Sequence, residues 1–222
     1  MGRMHGVRAA VTAAVILLML WGCVPTGINS AVQSNPDPAA SLTSGGDDVA
    51  TIYLAGGCFW GVEKYMASVR GVIDAEAGYA NGATDSPSYR DVTTGRTGYT
   101  ETVKVEYDPE VAPLPFLLDL FYEAIDPTSL NRQGNDVGTQ YRSGIYYSDP
   151  ADAPIIERSL ARLRERYNKP IVVEAEPLTA YTSAEEYHQD YLDKTPGGYC
   201  HINPGLFEKA AAASPRKEHF EG

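Results

Sequence analysis

Residues 51–61 read Thr51-Ile52-Tyr53-Leu54-Ala55-Gly56-Gly57-Cys58-Phe59-Trp60-Gly61. Five residues of strand-forming character run into two glycines, which stop the strand. From Cys58 the apolar positions change period. Phe59, Val62, Tyr65 or Met66, and Val69 recur at helical spacing, which predicts a helix over 58–69. A helix headed by a cysteine places the thiol at free N–H donors and about half a positive charge. Both favour thiolate over thiol, and helix N-termini lower a cysteine pKa from its free value of about 8.5. The glycines leave room for a substrate to approach the sulfur, and Phe59 and Trp60 supply an apolar wall. The same hexapeptide also fits a small buried cysteine beside two core aromatics, so both readings stay open here.

Working outward, residues 72–79 alternate as a strand, and Asn81-Gly82 is a turn signal. Residues 83–98 form a long polar loop with one helical turn near Tyr89. Over 101–107, Thr102, Lys104 and Glu106 alternate with Val103, Val105 and Tyr107. An amphipathic helix is predicted over 113–125, then a polar loop over 128–141 and a strand over 143–147. A second helix spans 152–168, with Ile155, Ile156, Leu160 and Leu163 inward, and a strand follows over 171–176. After Tyr181 the chain is irregular. This order predicts an α+β domain, two-layered, with helices packed on a mixed or antiparallel sheet. Continuous Val/Ile runs of a buried parallel sheet are missing. The loops at 80–99 and 127–142 are too long for mere connections and carry Tyr, Arg, Asn and Asp, which reads as functional.

The chain has 222 residues, with 18 Lys+Arg against 29 Asp+Glu, a formal charge of −11. An acidic chain lacks the basic footprint of sequence-independent nucleic-acid binding. Three cysteines without a CxxC pair and without HExxH argue against a zinc site and against a disulfide scaffold. The 15 tyrosines suit a wet, aromatic-lined pocket.

Arg3 and Arg8 lead into an apolar run over 9–21, shorter than the about 20 residues of a bilayer span. Basic start and length fit a secretory signal over 1–22. Its end, Leu20-Trp21-Gly22-Cys23, resembles the bacterial lipobox, in which Cys23 would be lipidated; Trp21 departs from the small residue usual there. An ordinary cleaved signal or an uncleaved anchor are the other readings. Loss of this segment with Arg3 and Arg8 takes the formal charge from −11 to −13. Residues 23–48, rich in Pro, Ser, Gly, Asn and Ala, read as a flexible tether. Residues 49–210 form the expected catalytic domain, and 211–222 a fraying tail. The expected location is the outer face of a bacterial membrane, where disulfides persist.

Several motifs resemble the A-type peptide methionine sulfoxide reductases. They are Gly56-Gly57-Cys58-Phe59-Trp60-Gly61-Val62-Glu63, Gly78-Tyr79-Ala80-Asn81-Gly82, Tyr89-Arg90-Asp91-Val92, Tyr107-Asp108-Pro109, the run 131–143, and Tyr187-His188-Gln189-Asp190-Tyr191-Leu192. The match runs from about Thr51 to Gly205 in order and spacing. It implies the α+β fold with a ferredoxin-like core, and reduction of the S epimer of methionine sulfoxide, free or in proteins.

By the resemblance, Cys58 attacks the sulfoxide sulfur and Glu101 protonates its oxygen. Tyr89 and Tyr141 hydrogen-bond that oxygen, Asp136 orders the site, and Phe59 and Trp60 hold the S-methyl group. Cys200, in Gly197-Gly198-Tyr199-Cys200, corresponds to the resolving cysteine on a mobile, glycine-rich segment. Some relatives carry a cysteine where Thr93 stands, or another in the tail; this chain has neither. A Cys58–Cys200 disulfide presented to a thioredoxin-like reductant is therefore implied, with no cofactor, no metal and a monomeric chain.

Each residue also has a plainer reading. Glu101 alone would be a solvent-facing strand glutamate, Tyr89 and Tyr141 loop tyrosines on the sheet, and Asp136 a cap for the Gly134-Asn135 turn. Cys58 and Cys200 would be a static staple in a non-catalytic lipoprotein. His188 and His201 admit a Cys-His hydrolase, or they are structural; a peroxidase is a further thiol chemistry. A hydrolase needs a histidine at Cys58, whereas the reductase needs Glu101, Tyr89 and Tyr141 there.

Overall fold

The computed structural model describes residues 49–221. The expected signal segment, the expected lipidation at Cys23 and the expected tether lie outside them. The first strand, β1 (Ala50–Gly56), passes through Gly57 and Cys58 into α1 (Phe59–Ala67), with Cys58 as N-cap. β2 (Val72–Ala80) follows, then the one-turn helix α2 (Tyr89–Val92), then β3 (Thr100–Tyr107). A capping box starts α2: Ser88 Oγ accepts from the Asp91 N–H, and the Ser88 N–H donates back to Asp91 Oδ2 at 3.1 Å.

α3 (Leu114–Ala124) leads into a two-residue hairpin of β4 (Arg132–Gln133) and β5 (Asp136–Val137), then a 3-10 turn at Thr139–Tyr141 and β6 (Ser143–Tyr147). α4 (Asp152–Arg164) crosses to β7 (Glu174–Pro177), and β8 (Tyr181–Ser183) forms the far edge. Two short helices, α5 (Tyr191–Lys194) and α6 (Gly205–Ala212), complete the domain.

The main sheet has the order β7-β6-β1-β3-β2-β8. β6 and β7 pair in parallel across the α4 crossover, and the other pairs are antiparallel. The mixed sheet and α+β character agree with the sequence expectation. One face carries Ile52, Leu54, Ala77, Tyr79, Val103 and Val105, buried beneath α1 and α3 with Val62, Met66, Leu117 and Phe121. The opposite face buries a smaller set, Tyr53, Ala55, Ala80 and Tyr146, under Leu178 and Tyr181. α4 buries Ile156, Leu160 and Leu163, while Ile155 is only partly covered.

Three local expectations change. The strand expected at 171–176 begins at Glu174, because pairing with β6 sets its start. The irregular stretch after Tyr181 first adds an edge strand to β2. The tail does not fray. α6 runs through residue 212, Ala210 is fully buried, and the Phe207 ring lies 6.4 Å from that of Tyr65 on α1. A further 3-10 turn, Lys217–His219, buries His219 with its ring 5.5 Å from Phe116 on α3. Composition alone marked this segment as Ala-rich and charged; its apolar anchors find partners only on distant helices.

Candidate active site

β1 delivers Cys58 to the start of α1 through Gly57, whose φ is +88°. A Cβ at Gly57 would stand 2.5 Å from Gln133 Cβ, so the turn demands glycine on both conformational and steric grounds. Gln133 is itself buried and locked. It accepts from the Asp126 N–H at 2.9 Å and donates to the Asp126 carbonyl at 2.8 Å and to Ser143 Oγ at 2.9 Å.

Cys58 is 7% exposed. The thiol is not lowered as the helix-terminus reading expected. Burial, and then the nearby Glu101 carboxylate, push it well above its ordinary range, outweighing the Trp60 N–H that favours thiolate. A helix terminus contributes partial charges only, whereas loss of water acts on the full charge.

Glu101 is 1% exposed, which excludes the solvent-facing reading. It shares the apolar face of β3 with Val103 and Val105. Its Oε2 accepts from the Phe59 N–H at 3.1 Å, at the first residue of α1. Burial raises its pKa to about 8, with the Phe59 hydrogen bond opposing and Asp136 adding to the rise. Glu101 is therefore protonated at neutral pH.

Tyr89 and Tyr141 are both half-buried. Burial, followed by the Glu101 charge, raises both phenols, Tyr89 to about 12, so both remain donors. Tyr89 is held by its N–H to Glu185 Oε1 at 2.9 Å, while Glu185 Oε2 accepts from Tyr79 O–H at 2.8 Å. The turn carrying Tyr141 is tied to β3 by Thr100 Oγ1, which donates to the Gln140 carbonyl at 2.9 Å.

Phe59 and Trp60 form an aromatic wall with the 187–191 stretch. Trp60 stacks on Tyr191 with ring centroids 3.8 Å apart, and Phe59 lies 5.0 Å from His188. Trp60 Nε1–H donates to His188 Nδ1 at 3.1 Å. Burial lowers the His188 pKa, so it is neutral and committed to Trp60. No hydrogen bond joins a histidine to Cys58 among the described residues.

Cys58 and Cys200 are both free thiols. Cys200 Sγ lies 3.0 Å from where a Gly61 Cβ would be, in a notch on α1. Asp136 does not merely cap its turn, since Oδ2 accepts from Tyr199 O–H at 2.9 Å and so ties the hairpin to the Cys200 segment. The structure thus brings Cys58, Phe59, Trp60, Glu101, Tyr89, Tyr141, Asp136 and Cys200 together.

Sequence reasoning missed Glu185, Gln133, Tyr199 and the stacking of Tyr191. Gln133, Tyr199 and Tyr191 stood inside the quoted motifs without a role assigned, and Glu185 lay outside them. Among the described residues no group of three or more His, Cys, Asp or Glu could hold a metal ion. None of their helices is long and apolar enough to cross a membrane.

Comparison with known proteins agrees with this arrangement. The family model described as peptide methionine sulfoxide reductase matches residues 50–219. The peptide methionine sulfoxide reductase MsrA of Lachnoclostridium phytofermentans is 53% identical over 163 residues, 73% of this chain and 98% of that protein. Among solved structures, the reduced form of Saccharomyces cerevisiae Mxr1 superposes with a TM-score of 0.67 at 39% identity, over 70% of this chain and 91% of that one. Methionine sulfoxide reductase A of Corynebacterium diphtheriae superposes at 0.64 and 40% identity, over 75% and 85%. The fold and site define a thiol reductase built on an α+β sheet. The chain belongs to the peptide methionine sulfoxide reductase family, and its activity class is peptide-methionine (S)-S-oxide reductase.

Proposed function

We propose that the chain reduces methionine S-sulfoxide, free or in proteins, by a two-cysteine cycle. One observation carries the reading: a buried, protonated Glu101 held at the start of the helix that Cys58 heads. Sulfoxide oxygen leaves only when protonated, and a carboxylic acid near pKa 8 is matched to that task at neutral pH. Protonation of Glu101 also removes the charge that opposes a Cys58 thiolate.

The substrate methyl group packs on Phe59 and Trp60, while Tyr89 and Tyr141 donate to the oxygen and Asp136 orders the surrounding loops. The Cys58 sulfur attacks the sulfoxide sulfur as Glu101 protonates the oxygen, and the thiol proton restores Glu101. The hydroxyl then passes from the substrate sulfur to the Cys58 sulfur: the substrate sulfur–oxygen bond and the transient sulfur–sulfur bond break, the Cys58 sulfur–oxygen bond forms, and the thioether leaves with Cys58 as a sulfenic acid. Cys200 then forms the disulfide with loss of water. A thioredoxin-like dithiol exchanges with that disulfide and returns both thiols.

Cys23 acylation, export and repair of oxidised exported proteins complete the proposal, supported by the sequence of residues 1–48. The inner order β6-β1-β3-β2, with α1 and α3 as connections, supports a ferredoxin-like core. The deciding assay offers the chain both epimers of a methionine sulfoxide peptide with an excess of dithiol. Consumption of the S epimer alone is expected; consumption of the R epimer, or of neither, would refute it.

A further inference from the structure

The two residues flanking Cys200 reach toward one carboxylate oxygen. Tyr199 O–H donates to Asp136 Oδ2 at 2.9 Å, and His201 Nδ1 stands 4.0 Å from the same atom. The His201 side chain is 3% exposed. Its ring is wedged against the turn that delivers Cys58: Nε2 lies 3.1 Å from where a Gly57 Cβ would be. Its Cβ lies equally close, 3.1 Å, to the corresponding position on Gly134. Neither ring nitrogen has a hydrogen-bond partner among the described residues.

The Gly56 backbone carbonyl interacts with the ring, but no bond of full hydrogen-bond geometry is made. A buried imidazole so poorly matched costs free energy, and such groups in native proteins call for an explanation. The gap to Asp136 is too long for a hydrogen bond, and a shift of about one ångström closes it. The next residue, Ile202, is buried, and its Cδ1 lies 3.3 Å from the Gly61 Cβ position. Residues 199–202 are thus braced on both sides of the sulfur, with one contact still unmade.

We propose that His201 is a positioning residue for the resolving step: braced against the Gly56–Gly57 turn, it completes a hydrogen bond to Asp136 as the segment shifts, and so sets the line along which Cys200 Sγ meets Cys58. The inference rests on the reading of Cys58 and Cys200 as attacking and resolving thiols. In that step the Cys58 sulfur–oxygen bond breaks and the sulfur–sulfur bond forms. The Cys200 proton leaves with the hydroxyl as water. His201 touches neither reacting atom in this account; it acts through the backbone it shares with Cys200.

The test is a single turnover of the full chain, reduced and held in detergent, with a methionine S-sulfoxide peptide. Two quantities are followed separately: methionine peptide by chromatography, and Cys58 sulfenic acid against Cys58–Cys200 disulfide by trapping and mass spectrometry. His201→Phe keeps the ring volume and removes the nitrogens. It is expected to form methionine within about twofold of wild type and to close the disulfide about tenfold or more slowly, the scale on which misplacement of a reacting group acts. His201→Gln, which keeps hydrogen-bonding atoms, recovers most of the closure rate. Closure at the wild-type rate in His201→Phe, slowing of both steps together, or no recovery with glutamine overturns the assignment of His201. Sustained turnover by Cys200→Ser instead removes the underlying reading of Cys200, a result distinct from the first three.

Discussion

The backbone N–H of Phe59 donates to Glu101 Oε2 at 3.1 Å, joining the first residue of α1 to the second residue of β3. The bond occupies one N-terminal donor of the helix, while the next, the Trp60 N–H, faces the Cys58 sulfur. It also fixes the carboxyl beside Cys58 within a buried, rigid sheet. The proposed acid and nucleophile are therefore positioned by one strand–helix contact, and their protonation states are coupled: a charge on Glu101 disfavours a charge on Cys58.

Glu101→Gln keeps the shape and the hydrogen bond from Phe59 but has no proton to give. Loss of a general acid is worth typically ~10²–10⁴-fold, and the single-turnover rate of sulfoxide reduction at neutral pH is expected to fall by that order. In the wild type the same rate falls as pH rises through about 8, where Glu101 ionises; the variant lacks this limb. A rate within about twofold of wild type would remove Glu101 from the chemistry.

The same group links stability to pH. Its folded pKa, about 8, lies above its ordinary value of 4.5, so the folded chain holds the proton more tightly. The contribution is full below pH 4.5 and is lost as pH rises through about 8. Glu101→Gln is neutral at every pH, so its thermal midpoint relative to wild type should rise from about pH 5 to about pH 9. Other buried acids, such as Glu63, cancel in this difference. A constant offset across that range would contradict the burial argument.

With only two cysteines in the domain, their roles separate cleanly. Cys58→Ser is expected to abolish sulfoxide reduction. Cys200→Ser should complete one turnover and stall as a sulfenic acid, seen as a single added oxygen by mass spectrometry. Continued thioredoxin-linked turnover by Cys200→Ser would reassign the resolving thiol.

Gly61→Ala tests the notch on α1. Alanine favours a helix by about 1 kcal/mol over glycine, so the fold itself is not expected to suffer. The added Cβ would stand 3.0 Å from Cys200 Sγ and 3.3 Å from Ile202 Cδ1. The expected outcome is a thermal midpoint close to wild type with slower closure of the Cys58–Cys200 disulfide, measured by thiol titration after one turnover. Unchanged closure would show that the notch plays no part in seating the sulfur.

The N-terminal segment makes a separate prediction. Mass spectrometry of the mature protein isolated from a bacterial host should find Cys23 as the first residue, carrying acyl chains. More than one chain is needed for stable anchoring. An unmodified Cys23, or a start at another residue, would refute lipidation without touching the reductase chemistry.

What the sequence determined by itself is mostly local. The stop at Gly56-Gly57, the helix headed by Cys58, the alternation through β3 and the two amphipathic helices all follow from spacing along the chain. Glu101 taken alone read as a solvent-facing strand glutamate, although its period-two parity is that of Val103 and Val105 rather than of Lys104 and Glu106. Its burial and its raised pKa were implied only by the family resemblance, which set it among tyrosines, and not by spacing, because they depend on how α1 and the 139–141 turn close over it. The direction of the Cys58 shift was misread for a related reason: helix dipoles can be read from sequence, whereas the removal of water sums over elements far apart in the chain. Tyr199 and Asp136, 63 positions apart, share a hydrogen bond that no spacing announces. His219 is buried on α3 although its neighbours in sequence look like a solvated tail. Tertiary packing decided these points, because desolvation and cross-element hydrogen bonds arise only when distant segments exclude water together.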